Sequence, residues 1–248
     1  MSIVHHWLSE HEGLPRHRIM LAALPGVGNV GKLVVETIIE GTDAEEVLRL
    51  IHPEMPPQSR LDSQGLLTAP HLSFHHHEDI VLVSGEGQPV TPRGQHECAM
   101  AILELAAQAG CNHVVVLAGM AAAVGEEEAF LVCSDPVSRL DLETNGAEIR
   151  RDQPNGGVIG LVGLLVGLGP VKNIPTSCGI STTIGASVDP IASQRLLDAV
   201  CEWFDIELEL SSTVMDRIAV HLATIENSGV GSELPELMHE DNSPMLYS

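Results

Sequence analysis

Three short, unbroken apolar runs constrain this chain more than any other feature. They are residues 18–24 (RIMLAAL), 79–84 (DIVLVS) and 113–118 (HVVVLA), and each stops at a turn: Pro25-Gly26, Gly85 and Gly119. A strand without polar alternation is buried on both faces, which is the condition of a parallel strand. Helix-period stretches lie between them. Residues 31–40 set Leu33, Val34, Thr37 and Ile38 on one face, and residues 92–109 turn Ala99, Ile102, Leu103 and Ala106 inward before Gly110 closes the helix. Strand, turn, helix and strand in that order are βαβ units and predict an α/β fold with helices on both faces of the sheet.

Further along, residues 129–134 and 174–180 are predicted strands, 45–51 and 66–73 shorter elements, and the Gly-rich 156–169 a tightly packed helix. Asp189 and Pro190 suit an N-cap and first helical position, so a helix runs from there to about Phe204, and a last one ends near Asn227. Periodicity then fails in GVGSELPELMHEDNSPMLYS. The expected organisation is one α/β domain over residues 1–228 and a flexible tail over 229–248.

Composition removes several function classes. A chain of 248 residues with 44% hydrophobic residues fills a large core, but only 2% are aromatic, so a base-stacking surface has almost nothing to be built from. Acidic residues outnumber basic ones 34 to 12, and the net charge of −22 repels phosphate backbones and anionic lipid. Neither a nucleic acid nor a membrane is expected as partner. The five cysteines are odd in number and form no C-x-x-C pair, which suits reduced thiols in a cytoplasm. The first residues lack a signal-peptide pattern, and the apolar run 158–168 is far short of the ~20 residues that cross a bilayer. The expected protein is soluble and cytoplasmic.

The candidate chemistry is sparse. Residues 24–33 (LPGVGNVGKL) place G-x-G-x-x-G between a strand and a helix and come close to a P-loop, but Leu33 stands where a P-loop needs a magnesium-binding hydroxyl. Two readings stand. Gly26, Gly28, Asn29, Gly31 and Lys32, with Glu86 at the end of a neighbouring strand, form an anion or ligand loop of a small-molecule or nucleotide-binding enzyme. Alternatively the glycines only let strand and helix approach. In His75-His76-His77, alternation along an extended chain puts only His75 and His77 on one face. No second cluster at a ligand spacing supports them, so the segment reads as a solvated strand end with no metal. Cys98 follows His96 and Glu97, but neighbours on a helix point apart. Neither a catalytic set nor a cofactor is expected.

The chain ends Leu246-Tyr247-Ser248, and Tyr247 is its single tyrosine. Two apolar side chains and a carboxylate on a flexible stalk are the makings of a peptide ligand for a pocket lined by lysine or backbone N–H groups.

In order and spacing, several segments resemble the proteasome assembly chaperone 2 family, particularly its archaeal members. They are LPGVGNVGKL (24–33), VLVSGEGQP (81–89), VVVLAGM (114–120), GVIGLVGLLVGLG (157–169) and SVDPIAS (187–193). The resemblance implies a three-layer α/β/α domain with a mostly parallel central sheet, nucleoside-phosphorylase-like, which forms a homo-oligomer and has no established catalytic residues. It also implies that the C-terminal hydrophobic-Tyr-X pattern, here Leu246, Tyr247 and Ser248, inserts between α subunits of the proteasome core particle. The function so implied is that of an ATP-independent proteasome-associated chaperone or adaptor.

Overall fold

The structure is a computed structural model, and it describes residues 3–8, 11–61, 65–185 and 187–227. Among these, the strands are β1 (Val4–Trp7), β2 (Ile19–Ala22), β3 (Glu45–Ile51), β4 (Arg60–Leu61), β5 (Leu67–Thr68), β6 (Leu72–His77), β7 (Ile80–Gly85), β8 (His113–Ala121), β9 (Ala129–Cys133) and β10 (Thr176–Thr183). The helices are α1 (Val30–Gly41), α2 (Pro92–Gln108), α3 (Pro136–Thr144), α4 (Gly160–Leu168), α5 (Pro190–Phe204) and α6 (Ser212–Asn227).

Eight strands form one sheet in the order β1-β3-β6-β7-β2-β8-β10-β9, while β4 and β5 pair apart from it. The apolar runs occupy its centre. β7, β2, β8 and β10 are parallel neighbours, with Leu21 opposite Leu82 on one side and Val115 on the other. Alternate residues of these strands enter two cores. Met20, Val81, Val83, Val114 and Val116 pack beneath α2 and α4. Ile19, Leu21, Leu82, Val115 and Leu117 pack beneath α1, α5 and α6. The three-layer α/β/α architecture expected of the sequence is present.

The flanks depart from parallel order. β1, β3, β6 and β7 pair antiparallel in succession, and β9 lies antiparallel on β10. The reason is local: β6 and β7 are joined by a tight turn through Glu78 (φ 50), and a connection that short permits only a hairpin. Three elements, β1, the short β4 and α3, have no counterpart in the sequence reading. β1 is mostly exposed and carries no apolar run, and α3 is set by its cap, Asp135, which accepts from the N–H groups of Val137 and Ser138. β10 runs beyond its apolar part through Ser181, Thr182 and Thr183, because pairing with β8 satisfies the backbone of this polar, buried end.

Candidate functional site

The Gly-rich segment forms the turn from β2 into α1. A single 3-10 turn, Val27–Asn29, precedes the helix, with Gly28 (φ 64) and Asn29 (φ 47) in the left-handed region. The turn is tied to the segment before α5: Asn29 Nδ2 donates to the Ser187 carbonyl at 3.1 Å, and Asp189 N donates to the Gly28 carbonyl at 2.9 Å. Gly31 packs directly on β8, where a Cβ would overlap the Leu117 carbonyl oxygen. Gly119 returns the contact, since a Cβ there would overlap the Val27 carbonyl oxygen. These glycines bring helix and strand to backbone contact.

Lys32 turns inward and is 2% exposed. Its ammonium donates to Glu36 Oε1 at 3.0 Å, to the Gly85 carbonyl at 3.1 Å and to Glu86 Oε1 at 3.1 Å. An ammonium has three donors, so all are engaged within the protein. Burial opposes the charge, but the pull of Glu36 and then of Glu86 outweighs it and raises the Lys32 pKa. For Glu36, burial is likewise outweighed, by Lys32 and by the Ser84 hydroxyl, and its carboxyl is held below the usual range. Glu86 also accepts from Arg60 Nη1 at 2.6 Å. The sequence grouping therefore divides. Lys32 and Glu86 do meet, but they meet each other in a cluster that clamps α1 to the carboxyl end of β7. The partner missed in the sequence is Glu36, and the i,i+4 spacing of Lys32 and Glu36 is the signal that points to it.

Gly26 and Gly31 instead line a cavity of ≈ 550 Å³ at the carboxyl ends of β2 and β8. Its wall also includes Leu24, Val27, Met120, Val158 and Val162, with Gln88 and Glu126 among its polar members. Gln88 Oε1 accepts from Leu161 N at 2.8 Å and fixes the start of α4 against this wall. The crevice at the carboxyl ends of parallel strands, where neighbours of β2 diverge to either side, is where open α/β sheets hold ligands.

The other candidates separate cleanly. Burial, reinforced by the charge of Glu97, pushes the Cys98 thiol up to about 12, so it is a thiol and not a thiolate at neutral pH. Glu97 is occupied by His52 at 2.9 Å and Arg93 at 2.7 Å. The histidine tract ends β6 with all three residues part-buried. His75 lies opposite Glu46, while His76 lies opposite Glu45 on the other face of the sheet. Leu246, Tyr247 and Ser248, with the whole 229–248 segment, lie outside the described residues. No helix among the described residues is long and apolar enough to cross a membrane.

Fold and site together define a three-layer α/β/α protein with a ligand-sized crevice at the carboxyl ends of its parallel strands and a glycine turn used for packing. Residues 20–219 match the PAC2 family, and the chain belongs to it. Among curated proteins, an uncharacterised protein of Methanocaldococcus jannaschii is 26% identical over 195 residues, covering 77% of this chain and 76% of that one. Among solved structures, the chain is similar to Pyrococcus furiosus PbaB, described as an archaeal proteasome activator (TM-score 0.75, 20% identity, 92% of this chain and 98% of that one). It is also similar to P. furiosus PbaA, described as an archaeal homolog of proteasome-assembly chaperone (TM-score 0.76, 17% identity, 93% of this chain and 97% of that one). At these identities the two structures share the fold.

Proposed function

We propose that this protein is an ATP-independent, proteasome-associated chaperone or adaptor. The observation that carries the reading is PAC2 membership over residues 20–219, in a chain whose fold is that of an archaeal proteasome activator and an assembly-chaperone homolog. The Lys32 geometry supports ATP independence: the lysine that would reach a nucleotide's phosphates is buried in an internal ion cluster. The body acts as a carrier, and the C-terminal Leu246-Tyr247-Ser248 docks on the α ring of the core particle. Tyr247 and Leu246 fill apolar clefts, and the terminal carboxylate of Ser248 meets a basic group. A homo-oligomer presents several tails, which raises avidity ~10²–10⁴-fold over one.

The test is deletion of residues 246–248, and separately Tyr247→Ala, followed by co-sedimentation with proteasome core particles. Loss of an aromatic anchor is expected to cost ~1–3 kcal/mol of binding. Core-particle binding that survives both changes removes the docking reading.

A further inference from the structure

Glu45 opens β3 and lies directly across from His76 of β6, so the two side chains leave the same face of the sheet as close cross-strand neighbours. His11, in the segment after β1, closes over them. His11 Nε2 stands 3.3 Å from Glu45 Oε1, and His76 Nε2 stands 3.4 Å from Glu45 Oε2. All three donor atoms lie within 4.8 Å of one another. The His11 and His76 rings meet edge-on with centroids 6.1 Å apart, and His17 supports His76 from a further edge contact at 5.4 Å. His76 Nε2 is sealed from solvent, and its contact with Glu45 Oε2 at 3.4 Å falls short of a well-aligned hydrogen bond.

We propose that His11, Glu45 and His76 form a binding site for a divalent transition metal of the Zn(II) class. A tetrahedral zinc ion with donors at ~2.0–2.1 Å separates those donors by about 3.3–3.4 Å. The two imidazole nitrogens stand 3.3 and 3.4 Å from the two oxygens of the Glu45 carboxylate, and with one donor atom taken from each residue the three lie within 4.8 Å, so binding an ion draws them closer together. Two imidazoles and a carboxylate suit zinc and its borderline neighbours, whereas calcium and magnesium need all-oxygen shells. Three protein donors leave a fourth position for water. The site lies at the opposite end of the sheet from the cavity, because His76 pairs with Val81 near the amino end of β7. Its work is mechanical: it ties the segment after the edge strand β1 across β3 and β6. The sequence reading paired His75 with His77 and missed this cluster, whose other two members come from 31 and 65 residues away from His76, at Glu45 and His11.

The experiment is isothermal titration of the full, untagged, chelator-treated chain with Zn(II), with Co(II) absorption as a second readout of coordination. One saturable site is expected, with a rise in melting temperature on zinc addition. Glu45→Gln and His11→Ala each lower the zinc affinity at least ~10-fold, since even outer-shell partners of a metal contribute ~10–100-fold. Both alter part-exposed side chains, and circular dichroism confirms that they fold. A His5→Ala/His6→Ala variant and a His239→Ala variant retain wild-type affinity. Absence of saturable binding overturns the site, as does affinity that folded Glu45→Gln and His11→Ala proteins keep or that the His5/His6 or His239 variants lose.

Discussion

His113 shows how one buried side chain makes stability depend on pH. It begins β8, its ring packs 5.3 Å from Phe204, and its Nε2 is 2.9 Å from the Ser177 hydroxyl. Burial lowers its pKa from 6.5 to about 4, and the nearby charge of Asp135 only partly offsets this. The folded state thus binds the proton more weakly than the unfolded state. The neutral ring's contribution is complete above pH 6.5 and is lost as pH falls toward about 4. At ~1.4 kcal/mol per pKa unit, the loss is of the order of 3 kcal/mol at most. Urea midpoints measured between pH 7 and pH 4 should fall, and His113→Gln should flatten that slope, leaving a less stable protein with weaker pH dependence. The cysteines sit at the same scale with the opposite consequence: burial pushes Cys98 and Cys178 up to about 12, so neither gains charge near neutrality.

At the scale of elements, the joint between α1 and β8 is the tightest part of the site. Gly31 has no room for a Cβ against the Leu117 carbonyl. Gly31→Ala must therefore push the helix off the sheet and disturb Leu33 and Val34, both buried beneath it. A destabilisation of ~2–4 kcal/mol is expected in a denaturant titration, beyond the ~1–3 kcal/mol typical of overpacking, because the clash is with backbone and cannot be relieved by a rotamer. Gly167→Ala is the control, as a Cβ at that position would meet nothing within 4 Å. The same joint marks how far the sequence could be read. The turn, the strand before it and the helix after it were legible from apolar runs and glycine positions, because parallel strands buried on both faces cannot alternate. Asp189 was legible as a cap, and it does accept from Ala192 N. Of the antiparallel flank, β3 was legible over 45–51 and only the start of β6 was, because β6 mixes Leu72 and Phe74 with three histidines, while β1 is a short, mostly exposed segment with no apolar run. The inward turn of Lys32 was not legible, since a basic residue after a glycine loop carries the same letters whether it faces a phosphate or two glutamates.

For the whole molecule, the decisive quantity is charge. A net −22 is a long-range field, and it acts on every encounter of this protein with a large partner. Residues 229–248 hold four of the acidic residues and no lysine or arginine, so the remainder of the chain still carries −22 + 4 = −18. In the proposed docking, basic groups around the α-ring pockets would attract body and tail alike, and raising salt from ~0.1 to ~1 M would shorten screening from ~10 to ~3 Å and weaken binding. As the proposed anchor, Tyr247 would make an apolar contact that does not share that dependence. Core-particle affinity is therefore expected to fall with salt in the wild-type protein, while Tyr247→Ala lowers it by a similar factor at every salt concentration. The two lines stay parallel on a plot of log affinity against log salt. Affinity that climbs with salt would mean that the acidic body is repelled by the ring, and that the tail must overcome its own carrier in order to dock.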